Sequence, residues 1–139
     1  MSAVPTFAEP EELADLVRNP EKAVGKDYAI VDVRGNDYIG GHIPGSINVP
    51  AAEMYDRANE LIDKLEGIPT VYFHCALSQV RGPKSARIYK ETMYNLGKST
   101  DQKVKVVRNG FEGWQAKYKN EKDLLEDYDP AVWEWGTMQ

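Results

Sequence analysis

Cysteine is the scarcest reactive residue in this 139-residue chain: there is one, Cys75. A single thiol cannot close an internal disulfide, so the fold is not a cross-linked scaffold and nothing in the cysteine usage calls for an oxidising compartment. Histidine is nearly as rare. His42 and His74 are the only two, with no ligand cluster at usable spacing, so no metal and no cofactor is expected. Long apolar runs are missing too. None approaches the roughly 20 residues that span a bilayer, so no membrane partner is expected. The opening stretch "MSAVPTFAEPEELADLV" has no basic segment followed by an apolar one, which argues against a secretory leader and for a cytoplasmic or nuclear location. Positive charge is in deficit, 17 Lys and Arg against 22 Asp and Glu. A nucleic-acid partner is therefore not expected, because a phosphate backbone is held mainly by a cationic face.

What is present suits one soluble domain over residues 1–139, with 42% hydrophobic and 28% charged residues, ordinary values for a globular protein. The charge is unevenly spread. Arg81, Lys84, Arg87 and Lys90 follow one another with no acid among them, whereas acids dominate from Glu121 to Glu134. Most such charges only solvate a face, but the basic group lies beside Cys75, where an anion would feel it.

The pattern alternates between strand and helix. "PEELADLVRN" has helical spacing, with Leu13, Leu16 and Val17 on one side. "YAIVDV" (Tyr28 to Val33) reads as a buried strand, and a brief one follows at Ile47 to Val49. "AAEMYDRANELIDKLEG" is a helix with Met54, Leu61, Ile62 and Leu65 as its stripe and Gly67 as its stop. "TVYFHC" (Thr70 to Cys75) is a strand, "GPKSARIYKETMYNLG" a helix with Pro83 in its first turn, and "KVKVV" (Lys103 to Val107) another strand. "NGFEGWQAKYKN" is a turn into a short helix, with Gly110 and Gly113 as turn residues and Trp114 in the core. Residues 97–102 read as a surface loop. Tyr128, Trp133 and Trp135 predict a tail packed on the domain, since disordered tails are poor in aromatics. Alternation of this kind implies an α/β fold with a mainly parallel sheet and helices on both faces.

The stretch "HCALSQVRGPKSAR" carries the chemistry. Cys75 falls at the carboxyl end of a strand and Arg81 at the start of the next helix, which is where open parallel sheets bind ligands. A loop that curls there aims backbone N–H groups, and the positive end of a helix dipole, at one point. Such a site binds a tetrahedral oxyanion and favours the thiolate over the thiol. An arginine adds a planar fork that fits two phosphoryl oxygens. A lone cysteine is usually inert core filler; the spacing Cys-x5-Arg between an apolar strand and a Gly-Pro helix start points the other way.

The whole chain resembles a single rhodanese-like domain. "IVDVRGNDYIGGHIPGSINVP" is similar to that superfamily's first signature and "VVRNGFEGW" to its second, and the signatures lie between about residues 7 and 118. Within the superfamily, "HCALSQVRGPKSAR" resembles the active loop of the M-phase-inducer phosphatases and of their small relatives, eukaryotic arsenate reductases among them. The resemblance implies a rhodanese-like domain with a five-stranded sheet, residues 119–139 forming the tail. Sulfurtransferase members typically carry one residue fewer in the loop. The seven residues from Cys75 to Arg81 imply a wider cradle, fit for phosphate or arsenate.

By the same resemblance Cys75 is the nucleophile and Arg81 the oxyanion clamp, and the amides of Ala76, Leu77, Ser78, Gln79, Val80 and Arg81 line the cradle. Asp32 and Arg34 are expected to fix the turn after their strand, His42 to make a structural hydrogen bond, and His74 to support the site while pointing away from it. The larger cell-cycle phosphatases have acids in the loop where this chain has Ala76 and Val80. Asp37 and Glu112 are the candidate proton donors from outside it. The expected activity is that of a cysteine-dependent phosphatase acting on phosphorylated proteins or aryl phosphates through a cysteinyl-phosphate. The alternatives are a glutathione-dependent arsenate reductase, which would draw on an external thiol, a sulfurtransferase carrying persulfide, and a module that docks phosphorylated partners. The partner is a phosphorylated protein or a small anionic substrate, and the sequence assigns no oligomeric state.

Overall fold

The computed structural model describes residues 4–98 and 101–135. Five short strands are formed: β1 (Thr6–Ala8), β2 (Ala29–Asp32), β3 (Ile47–Asn48), β4 (Thr70–His74) and β5 (Lys103–Val107). They make one sheet in the order β1-β5-β4-β2-β3, and every pairing is parallel. The sheet is thus wholly rather than mainly parallel. Parallel neighbours need crossover connections: α1 (Pro10–Arg18) joins β1 to β2, a loop over residues 33–46 joins β2 to β3, α2 (Met54–Lys64) joins β3 to β4 and α3 (Arg81–Asn95) joins β4 to β5; α4 (Gly110–Tyr118) and α5 (Pro130–Trp135) follow the last strand.

Strand side chains alternate between two cores. Ala29 and Val31, Val71 and Phe73, and Val104 and Val106 face α2 and α3, where they meet Met54, Leu61, Ile62, Ile88 and Tyr89. Ile30, Tyr72 and Val107 face α1 and α4, where they meet Leu13, Phe111 and Trp114. The apolar stripe expected of α2 is buried throughout, and Gly67, with φ +83°, ends that segment in the left-handed conformation that glycine tolerates.

Three details depart from the sequence reading. β1 was not foreseen: "TFA" is three residues at a sheet edge, with only Ala8 buried, too short to show a period. Strands expected to run to Val33, Val49 and Cys75 stop one residue earlier. Gly113 lies inside α4, not in a turn.

After α4 the chain folds back onto its own body. Trp114 donates from Nε1 to the Leu124 carbonyl, and His42 and Glu126 exchange backbone hydrogen bonds. The Tyr128 hydroxyl donates to Gln115, and Trp133 packs on Phe111 and donates to the Gly40 carbonyl. Two of the acids in the acidic run, Glu121 and Asp123, are not merely solvated, since both bind Arg18. The expectations for Ser99 and Thr100 in the 97–102 loop, for the Trp135 side chain and for residues 136–139 lie outside the described residues. Among the described residues no helix is long and apolar enough to cross a membrane.

Candidate functional site

Parallel pairing brings the carboxyl ends of β2 and β4 to one edge, with Asp32 level with His74. Cys75 is the first residue beyond β4, and α3 begins at Arg81. The chain turns between them through Ser78, a buried residue with φ +57°. The turn folds the loop back over the sulfur. Cys75 Sγ accepts hydrogen bonds from the Ser78 amide at 3.2 Å and the Gly82 amide at 3.3 Å. Two N–H donors and the amino end of a 15-residue helix thus converge on one sulfur.

The amino end of α4 holds the loop from beneath. The Phe111 amide donates to the Cys75 carbonyl and the Glu112 amide to the Ala76 carbonyl, both at 2.9 Å. Peptide planarity sets the N–H of the following residue opposite to each carbonyl. With the Cys75 and Ala76 carbonyls turned toward α4, the amides of Ala76 and Leu77 point away from it. Among the described residues, those two amides, with Gln79, Val80 and Arg81, donate to no acceptor. The contact between loop and helix is close enough to require glycine. A Cβ on Gly110 would lie 2.4 Å from the Ala76 oxygen and 2.5 Å from the Cys75 oxygen, at a φ of +56°.

Arg81 is held by a partner 44 residues away. Its Nη1 and Nη2 donate to the two carboxylate oxygens of Asp37 at 2.8 and 2.6 Å. The ion pair pushes the Arg81 guanidinium further toward its charged form, and the nearby Cys75 sulfur adds to this. It also holds the Asp37 carboxyl below the usual carboxylate range. Asp37 thus occupies the Nη1–Nη2 end of the guanidinium, and the Cys75 sulfur lies near the same group.

The loop that carries Asp37 is itself organised by Arg34, which is fully buried. Arg34 binds Asp32 through Nε and Nη2 and donates to the carbonyls of Asp37, Ile39 and Gly41. Its guanidinium lies 4.4 Å from the centre of the Phe111 ring. Asn48 closes the arrangement by donating to the Asp32 and Arg34 carbonyls. Asp32 and Arg34 therefore fix the turn and stand behind Asp37. The His74 ring is buried between Asp32, 3.7 Å from Nε2, and Phe111, and its Nδ1 faces the Cys75 carbonyl at 3.1 Å. A carbonyl only accepts, so Nδ1 carries the proton. Burial pushes the imidazole below its ordinary value and outweighs the opposing pull of Asp32. His42 stacks on Tyr38 and bridges to Glu126, holding the tail rather than the loop.

The structure thus brings together Cys75, the loop from Ala76 to Val80, Arg81, Asp37 and, behind them, His74. Asp37 is committed to Arg81 as an ionised carboxylate, a poor source of protons. Glu112 contributes its amide to the loop from the first turn of α4. The Gly82 donor was not foreseen in the sequence, because a backbone amide leaves no residue-type signal.

The rhodanese-like domain family model matches residues 9–117. Over 118 residues the chain is 34% identical to dual specificity phosphatase ibp1 of Schizosaccharomyces pombe, covering 74% of this chain and 85% of that protein. It is 33% identical to arsenate reductase 2.2 of Oryza sativa subsp. japonica, over 79% of this chain and 82% of the relative. Among solved structures, that of Ygr203w, a yeast protein tyrosine phosphatase of the Rhodanese family, superposes with a TM-score of 0.75 at 26% identity, covering 96% of this chain and 99% of the other.

Proposed function

The chain belongs to the rhodanese-like family, and from that premise we propose that it is a cysteine-dependent phosphatase of the Cys-x5-Arg type. The observation that carries this is the loop itself. One sulfur receives the amides of Ser78, within the seven-residue turn from Cys75 to Arg81, and of Gly82 just after it, and the other amides of that turn have no partner among the described residues. The likeness to proteins named as phosphatases supports it.

In this reading the Cys75 thiolate attacks phosphorus in line. An S–P bond forms as the ester P–O bond breaks, and the alcohol or phenol oxygen leaves with the electron pair. The loop amides and Arg81 bind the equatorial oxygens, where charge builds in the transition state. Water then attacks phosphorus, the S–P bond breaks, and inorganic phosphate and the thiolate are released. While sulfur carries the departing charge, the Ser78 and Gly82 amides stabilise it as charge-assisted donors.

The loop holds no carboxylate and Asp37 is tied to Arg81, so leaving groups that need no proton are favoured. Aryl phosphates and phosphotyrosine should be cleaved ahead of phosphoserine. A plot of log kcat/KM against leaving-group pKa for substituted phenyl phosphates should fall steeply. A flat plot with chemistry rate-limiting would require a proton donor outside the loop.

A second reading rests on the likeness to an arsenate reductase. Arsenate fits the same cradle, and with one cysteine the reducing electrons must come from an external thiol such as glutathione. Assaying one preparation with aryl phosphate, with arsenate plus glutathione, and with thiosulfate plus cyanide separates phosphatase, reductase and sulfurtransferase. The phosphatase proposal stands only if the first is turned over and Cys75→Ser abolishes that turnover while the circular dichroism spectrum is unchanged.

A further inference from the structure

Beside the loop lies an open groove with a volume of about 430 Å³, built from Val4, Pro5 and Phe7 on one bank and Gln79, Val80, Pro83, Lys84 and Arg87 on the other. Gln79 and Val80 belong to both the loop and the groove, so the two sites share a wall. A chain leaving the cradle on that side passes over Val80, a residue 71% exposed. The apolar part is made by Val4, Phe7, Val80 and Pro83, three of which expose large side chains to solvent. The polar part is cationic. Lys84 and Arg87 are one turn apart on α3 and lie on the same side of it.

Among the described residues, no acid lines the groove. Two acids close in sequence to its lining residues are engaged with cations: Glu91 with Arg87, at 3.8 Å across one turn, and Glu9 with Arg108, which stacks over the Phe7 ring. Lys84 has no acidic partner among the described residues. This positive, partly apolar patch stands out on a chain whose formal net charge is −5. A small phosphate ester bound at Cys75 would not reach it; a peptide would.

We infer that this groove is a second substrate subsite, which receives the segment flanking the phosphorylated residue of a protein substrate and selects one with a bulky apolar side chain followed by a carboxylate. The apolar side chain lies against Phe7, Val80 and Pro83, and the carboxylate is shared by Lys84 and Arg87. The inference rests on the phosphatase reading of Cys75 and gives that site its substrate class.

Three phosphotyrosine peptides of one length test it, in low-salt buffer beside a small aryl phosphate. One carries leucine and glutamate next to the phosphotyrosine, one replaces the leucine with glycine, and one replaces the glutamate with lysine. Two exposed ion pairs are worth about fivefold in kcat/KM, so the first peptide should exceed the lysine peptide by about that factor. The advantage should shrink as salt rises. Lys84→Glu with Arg87→Glu should abolish or invert the preference for glutamate, and Phe7→Ala should remove the preference for leucine over glycine. If aryl phosphate is cleaved and the three peptides are cleaved alike, or if either preference survives its variant, the subsite is wrong and the phosphatase reading stands. If aryl phosphate is not cleaved, the phosphatase reading fails and the subsite falls with it.

Discussion

At the scale of single residues, the site is a relay of held groups that ends at Arg81. Arg34 organises the loop, the loop presents Asp37, and Asp37 fixes the plane of Arg81. Asp37→Ala should leave Arg81 charged but free to rotate, and positioning errors of this kind cost about tenfold to a hundredfold in rate. A fall in kcat/KM on aryl phosphate, with weaker inhibition by inorganic phosphate, is the expected result. A rise in activity would mean that Asp37 competes with substrate for the fork. Arg81→Lys keeps the charge and loses the fork, and should cost on the order of 10²–10³ in turnover. His74 makes a prediction for stability. Burial lowers its pKa in the folded protein, so the unfolded chain binds a proton near pH 6.5 that the folded one refuses. Stability should therefore be lost as pH falls below about 6.5, by at most about 1.4 kcal/mol per pH unit for this one group. Urea midpoints from pH 8 to pH 5 should decline more steeply for the wild type than for His74→Gln. Parallel slopes would show that His74 takes up its proton alike in both states.

Among the elements, the contact between the loop and α4 is the most constrained. Gly110→Ala asks for a side chain at φ +56° and within 2.5 Å of two carbonyl oxygens, where the left-handed conformation alone costs about 1–3 kcal/mol. The loop must move to admit it. The expected outcome is a loss of turnover out of proportion to the loss of thermal stability, measured by calorimetry beside aryl phosphatase assays. How much of this could be read from sequence depended on where each partner lies. Cys75 and Arg81 were legible because six positions separate them and a strand and a helix bracket them. Asp32 and Arg34 were legible because they sit together in one short motif. The role of Asp37 was not, since its ion pair joins residues 44 positions apart and only the fold sets that distance. The α/β alternation was legible from periodicity in β2, β4 and β5, whereas β1 offered three residues and no pattern. The groove was invisible for the same reason, because one bank comes from residues 4–7 and the other from residues 79–87.

Across the whole molecule, the segment after α4 ties the far side of the site together. Trp133 packs on Phe111, which in turn lies against Arg34 and His74. Trp133→Ala should cost on the order of 2 kcal/mol, below the 3–5 kcal/mol of a fully buried ring, because Trp133 is only half-buried. Chemical denaturation would report the loss, and an unchanged midpoint would show that the tail only covers the domain. The order of the strands has a consequence for how the protein is made. β1 pairs only with β5, Thr6 opposite Lys105 and Ala8 opposite Val107, so the earliest strand to leave a ribosome has no neighbour until the last strand emerges. At roughly 5–20 residues per second, β1 waits several seconds while β2, β3 and β4 can already pair. Phe7 rides on β1, and α4, which braces the Cys75 loop, follows β5 in the chain, so the bank of the groove and the brace of the loop would both be set only at the end of synthesis.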